Sequence, residues 1–220
     1  MGKLIRNIFL ISSAYLLVCV LGYLGFATLR NNLVGWFLLL AALAYGVGGP
    51  FLLRSNLKNA GVVQQEKQDR SFWLILPGFL VVYYASPLEY LYMPAYLPRS
   101  SWTQIIGLIL IVASTLMIAW AQRALKGKYT GRLRVVADQP LVQAGPYHFL
   151  RHPAYAGFIL MCLGISIGFS SLIGLLAVPF LLLPGLLYRI NAEEKILIAQ
   201  FGEEYIVYSR HTKRLLPGIW

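Results

Sequence analysis

Apolar residues in this chain gather into long unbroken runs and do not alternate with polar ones. A membrane-spanning helix needs about 20 mostly apolar residues. Four runs meet that length: Ile8–Leu29, Leu33–Leu53, Phe72–Met93 and Ile105–Leu125. A fifth apolar stretch, Ala154–Leu187, is too long for one crossing and carries Gly168, Phe169, Ser170 and Ser171 near its middle. The pattern predicts a tight hairpin of two short helices there, with a single long tilted helix as the alternative. Beyond it, Ile190, Leu197, Phe201, Tyr205 and Tyr208 recur at helical spacing and predict an amphipathic helix from Tyr188 to Arg210. The expected fold class is therefore all-α. It is a polytopic transmembrane helical bundle of four long spans plus a short C-terminal helix hairpin, with a cytosolic C-terminal amphipathic helix. Residues 1–125 form the N-terminal transmembrane helices. Residues 126–220 form a C-terminal region that opens with a long polar loop, Lys126–His152.

Composition supports the bilayer as solvent. The 220 residues are 58% hydrophobic and 12% charged, against about 25% charged in a soluble domain. The net charge of +11 would suggest nucleic acid in a soluble protein, but here the basic residues fill short gaps between apolar runs. No continuous basic and aromatic face exists, which argues against nucleic acid as a partner. With the N-terminus inside, only Arg30 and Arg99 of the 19 Lys and Arg residues fall on the outer side. That asymmetry predicts both termini in the cytosol and an even number of crossings. The first apolar run is too long for the h-region of a signal peptide, so it reads as a retained span. Cys19 and Cys162 both lie in apolar runs and belong to no ligand set, so neither a metal site nor a disulfide is expected. Tyr83, Tyr84, Tyr90, Tyr92 and Tyr96 read as an aromatic belt at the outer interface. Glu89, in the same stretch, is expected to reach the outer headgroups. Gly46, Gly48 and Gly49 mimic a dinucleotide loop but lie inside a span, where small residues serve close helix packing.

Polar chemistry concentrates near the C-terminus. All three histidines, His148, His152 and His211, lie there, with Asp138, Glu193, Glu194, Glu203 and Glu204. Gly145-Pro146 predicts a turn. His152 precedes Pro153, which biases it away from helical geometry and into a capping position. Pro153 suits the first turn of the next helix, whose N-terminal amides can hold an anionic or ribose-like group. Tyr147 and Tyr155 can stack on a heterocycle. Arg189 and Glu193, four residues apart, share a helical face just where the last apolar segment ends. The alternatives are plain ones: Arg151 and His152 snorkel to headgroups, and Arg189 with Glu193 forms an interfacial ion pair.

Taken in order, Leu141-Val142, Gly145-Pro146-Tyr147, Arg151-His152-Pro153-Ala154-Tyr155-Ala156-Gly157, Arg189, Glu193-Glu194, Phe201-Gly202-Glu203-Glu204-Tyr205, Tyr208 and Leu216-Pro217 resemble the isoprenylcysteine carboxyl methyltransferase family, with parts shared by phospholipid N-methyltransferases. The resemblance covers about a third of the chain. It implies a membrane methyltransferase that uses S-adenosyl-L-methionine at the cytosolic face, with 126–220 as the catalytic region. Carried onto this chain, it places the cofactor against Gln139, Pro140, Leu141, Val142, Tyr147, His152, Pro153, Ala154 and Tyr155, with Glu193 and Glu194. Arg189 falls where the family binds the acceptor carboxylate, so Arg189 and Glu193 are the expected catalytic pair. The family often carries His before Leu-Val, whereas Gln139-Pro140 stands here. The implied acceptor is lipophilic, a prenylcysteine-like carboxylate entering from the bilayer, with a small thiol or lipid amine as other acceptors. The compact loops suggest a prokaryotic plasma membrane. An NADPH-dependent membrane reductase of the sterol-reductase type and a non-enzymatic membrane scaffold are the competing classes.

Overall fold

The structure is a computed structural model that describes residues 31–41, 62–65, 71–125, 134–136 and 140–215. The expected span Ile8–Leu29, most of Leu33–Leu53, the glycines at 46–49 and Gln139 lie outside the described residues. Residues 33–41 form helix α1, and Val62–Gln65 strand β1. Then come α2 (Ser71–Tyr92), α3 (Ser101–Ala124), β2 (Arg134–Val136), α4 (Pro153–Gly168), α5 (Leu172–Phe201) and α6 (Glu203–His211). Helices α2, α3 and α5 are long and apolar enough to cross a membrane, and α4 is a shorter apolar helix. At 1.5 Å per residue the 22 residues of α2 reach about 33 Å, which matches a hydrocarbon core of about 30 Å.

Both α2 and α5 contain a π-helical turn, Val81–Ala85 and Val178–Leu182. Each adjoins proline: Pro77 and Pro87 in α2, Pro179 and Pro184 in α5. A proline inside a helix removes one amide donor and crowds the carbonyl four residues back, and a wider turn absorbs the misfit.

The helices touch backbone to backbone through glycine. A Cβ added to Gly107 of α3 would lie 2.6 Å from the carbonyl oxygen of Gly164 in α4. One added to Gly78 of α2 would lie 2.5 Å from the amide nitrogen of Leu182, and one on Gly185 of α5 would meet the Leu74 carbonyl at 2.8 Å. In lipid, where tails are as apolar as leucine, such close approach supplies much of the packing. Val82, Ile111, Cys162, Ile165, Leu182 and Leu186 form the core that these contacts enclose.

The predicted hairpin is present. Helix α4 ends at Gly168, the chain turns through Phe169, Ser170 (φ 49°) and Ser171, and α5 returns. Its second arm is not short, however. It continues past Leu187 as helix to Phe201, because nothing in Tyr188–Gln200 breaks the hydrogen-bond ladder. The expected amphipathic helix Tyr188–Arg210 is accordingly two pieces. Gly202, at φ 55° and ψ −126°, ends α5 and starts α6. Ile190, Tyr205 and Tyr208 of the predicted inward face are buried, and Leu197 and Phe201 half-buried.

Two other expectations change. Tyr83, Tyr84 and Tyr90 pack against the core, which leaves only Tyr92 and Tyr96 of the supposed belt exposed. Glu89 does not reach headgroups: it is 2% exposed and its carboxylate accepts from the Ser171 hydroxyl and from the amides of Leu172 and Ile173 at 3.0 Å. An ionisable group is tolerated there because it satisfies the open N-terminus of α5. At the opposite end of the bundle, β1 and β2 pair antiparallel, with Val62 opposite Val136 and Gln65 opposite Arg134, where the polar pattern had suggested only loop.

Candidate active site

The hairpin carries its polar residues at the end away from its turn. Pro153 starts α4, and the carbonyl of His152 accepts from the amides of Tyr155 and Ala156. His152 thus occupies the expected capping position, but its side chain does not cap. Its ring instead lies buried between two acids, with Nε2 3.4 Å from Glu194 and Nδ1 3.8 Å from Glu193. His152 is held in a non-helical geometry before Pro153 (φ −126°, ψ 59°) that leaves its backbone to pair elsewhere, and its amide donates to the Arg214 carbonyl. Beside it, Leu150 and Lys213 form a parallel bridge that ties the start of α4 to the segment after α6.

Arg189, Tyr155 and Glu193 form one relay. The Arg189 Nε donates to the Tyr155 hydroxyl at 2.6 Å, and that hydroxyl donates to Glu193 Oε2 at 2.7 Å. The Arg189 Nη1 donates to Ser71 Oγ at 2.9 Å, at the first residue of α2. The His152 ring stacks on Tyr155 at 5.6 Å between centroids and 15° between planes. Arg189 and Glu193 share a helical face as predicted, and a tyrosine from the other arm of the hairpin links them.

Glu194 plays a different part. Arg151 Nε donates to it at 2.9 Å and Arg214 Nη2 at 2.8 Å, with His152 against the same carboxylate. Arg151 also donates to the carbonyls of Ser209 and Thr212. The Glu193 side chain is 35% exposed and that of Glu194 11%. Glu193 therefore presents a carboxylate outward, and Glu194 is the hub of an internal ionic knot that docks α6. Tyr208 joins the knot by donating to the Tyr147 carbonyl at 2.7 Å, and burial pushes its phenol up to about 12. Tyr205 is 2% exposed, and its hydroxyl has no hydrogen-bond partner among the described residues. Burial raises its phenol further, and the Glu194 charge adds to the rise.

Of the residues singled out in sequence, the fold brings His152, Tyr155, Arg189, Glu193 and Glu194 together at the start of α4. Leu141 and Val142 are half-buried on the approach to the Gly145–His148 turn, Pro140 is exposed, and Ala154 is half-buried behind Pro153. Tyr147 is held through its carbonyl. Ser71 and Arg214 were not singled out, and Tyr205 was named only in the amphipathic face and in the family pattern. Arg214 and Tyr205 lie at or near the resemblance motifs, but nothing local marks Ser71, a lone serine before an apolar run. An open cleft of about 650 Å³ beside this centre is lined by Gln143, His148, Glu203, Glu204, Tyr208 and His211 among others. None of Tyr155, Arg189 or Glu193 lines it, so it neighbours the relay and is not its chamber.

The fold and this centre define a polytopic helical membrane protein whose ionic chemistry sits at one end of an intramembrane hairpin. Residues 105–199 match the profile of the isoprenylcysteine carboxyl methyltransferase (ICMT) family. Protein-S-isoprenylcysteine O-methyltransferase B of Arabidopsis thaliana is 24% identical over 158 residues, which is 70% of this chain and 80% of that protein. The Saccharomyces cerevisiae protein-S-isoprenylcysteine O-methyltransferase is 35% identical over 83 residues, 38% of this chain and 35% of that one. In fold, the chain is similar to the solved eukaryotic intramembrane Ras methyltransferase ICMT. The TM-score is 0.56 at 20% identity, covering 99% of this chain and 86% of that structure. Through residues 105–199 the chain is similar to the isoprenylcysteine carboxyl methyltransferase family, and it is an integral membrane methyltransferase with S-adenosyl-L-methionine as methyl donor.

Proposed function

We propose that the chain methylates the carboxylate of a lipophilic, prenylcysteine-like acceptor that reaches Arg189 from the bilayer. The observation that carries this reading is the relay itself. A buried arginine, fixed at Nε and Nη1, stands where the apolar part of α5 gives way to its polar end. A guanidinium held in that way suits a carboxylate, which it can bind through two parallel hydrogen bonds. The polar half of the centre fits the methyl donor: Glu193 offers a half-buried carboxylate to ammonium or hydroxyl groups, the stacked His152 and Tyr155 rings offer a flat face, and the buried Tyr205 hydroxyl has no partner among the described residues. When bound, S-adenosyl-L-methionine supplies an electrophilic sulfonium methyl group.

The acceptor carboxylate is already an anion, so no general base is required of the chain. Arg189 orients it, Glu193 orients the donor, and the Tyr155 hydroxyl sets the spacing between those two side chains. Alignment of reacting atoms at about 3–3.5 Å is the contribution this centre is built to make to such a displacement. The apolar walls of α4 and α5 exclude water. Glu194, Arg151 and Arg214 close the far side and act structurally. The proposed setting is a prokaryotic plasma membrane with both termini and the centre facing the cytosol.

Transfer of labelled methyl from S-adenosyl-L-methionine to a panel of acceptors tests the reading. The panel is an S-prenylcysteine with a free carboxylate, the same compound as its amide, a small thiol and a lipid amine. Base-labile methyl ester on the free carboxylate alone is expected. Methylation of the amide-blocked compound, the thiol or the lipid amine in its place overturns the carboxylate assignment.

A further inference from the structure

Arg189 is held from two sides, and one of them comes from far away in the chain. Tyr155 belongs to the hairpin and to the stretch that matches the family. Ser71 lies 118 residues before Arg189 and outside that stretch. It is fully buried, and its hydroxyl oxygen accepts from Arg189 Nη1 at 2.9 Å.

The contact is set by helix register. Helices α2 and α5 run antiparallel and meet backbone to backbone at Gly78 with Leu182, then at Gly185 with Leu74 and Ile75. One turn further along α5 is Arg189, and one turn back along α2 is Ser71. The glycine contacts and the Ser71–Arg189 hydrogen bond are therefore successive rungs of one ladder. Side chains three and four residues apart stack on one helix face, so the two glycine rungs bring the hydroxyl to the guanidinium. An arginine buried at the edge of an apolar bundle needs its donors satisfied. Serine supplies an oxygen without adding bulk at the helix crossing.

We infer that Ser71 is a positioning residue for the acceptor. It fixes the plane of the Arg189 guanidinium and acts only through Arg189. This rests on the proposed role of Arg189. It adds that the acceptor side of the centre is completed by α2, whereas the donor side is built by the hairpin and α5.

The test uses the full-length enzyme in detergent or nanodiscs, with Ser71→Ala, Ser71→Cys and Ser71→Thr. Three quantities are read: S-adenosylhomocysteine affinity by calorimetry, and KM and kcat for the S-prenylcysteine acceptor at saturating donor. Loss of a hydrogen bond to a charged group predicts an acceptor KM raised about tenfold or more in Ser71→Ala. Ser71→Cys should fall between, and Ser71→Thr, which keeps the hydroxyl, should stay within about twofold of the parent. Donor affinity should be unchanged in all three. A merely structural serine would lower stability without separating acceptor KM from donor affinity. If Ser71→Ala does not fold, the comparison of Ser71→Cys with Ser71→Thr decides the matter. Equal acceptor KM across the folded variants overturns the inference, as does a parallel loss of donor affinity. A parent enzyme that methylates no carboxylate acceptor marks the failure of the proposed function instead.

Discussion

The hydroxyl of Tyr155 donates to Glu193 at 2.7 Å while it accepts from Arg189, so one oxygen atom spans the two side chains assigned to acceptor and donor. Tyr155→Phe removes both bonds and keeps the ring stacked on His152. Methyl transfer at saturating donor should fall about tenfold or more, and the melting temperature should drop as well, since each lost bond to a charged group is worth about 1.5–3 kcal/mol. Turnover within twofold of the parent would mean that the relay does not set the alignment.

Glu193→Ala should weaken binding of S-adenosylhomocysteine by an amount on the order of 1.5–3 kcal/mol, the size of a charge-assisted hydrogen bond. Calorimetry on the folded variant measures it. Unchanged affinity would remove Glu193 from the donor site.

Arg189→Lys keeps a positive charge but loses both the Nε donor to Tyr155 and the planar fork. Turnover should be impaired while donor affinity stays near that of the parent. If donor affinity drops as far as in Glu193→Ala, Arg189 belongs to the donor side and the acceptor anchor lies elsewhere.

Glu194→Ala should act on stability. Removing the carboxylate leaves Arg151, partly buried, and Arg214 without their common anion. Breaking a buried ion pair from one side costs about 3–5 kcal/mol, and the partial exposure of Arg214 moderates that figure. Thermal unfolding in detergent should show a clear drop, with α6 the first element to lose protection from hydrogen exchange. A melting point equal to that of the parent would deny Glu194 its role as hub.

Glu89→Ala tests the opposite end of the hairpin. Glu89 takes the amides of Leu172 and Ile173, Ser171 Oγ takes that of Gly174, and the Ser166 carbonyl takes that of Ser171 itself. All four open amides of α5 are thus satisfied. Loss of the carboxylate leaves two amides unpaired at about 1–3 kcal/mol each. The variant should melt lower than the parent, with Glu89→Gln between the two, while methyl transfer measured well below the melt persists. A Glu89→Ala variant as stable as the parent would show that the cap contributes nothing.

How much of this the sequence disclosed follows from the range of each interaction. The length of the apolar runs predicted α2 to within one residue and α3 to within about four, because backbone groups in hydrocarbon must be satisfied within their own helix. The Phe169–Ser171 turn was also legible, since Gly168 and two serines interrupt an apolar stretch too long to cross once. Arg189, Glu193 and the His152-Pro153 step stood out by local chemistry and by family pattern.

What only tertiary structure decided lies in pairs distant along the chain. A run of residues shows where a helix can form but not which neighbour will satisfy its ends. Glu89 read as a headgroup contact because its partner, the start of α5, is 83 residues away. Ser71 carried no signal because its meaning depends on the rotation of α2 against α5, which the backbone contacts at Gly78 and Gly185 set. Glu193 and Glu194 are adjacent in sequence and looked alike. Helical geometry turns them about 100° apart, one toward the Tyr155 relay and the other into the cations of the knot.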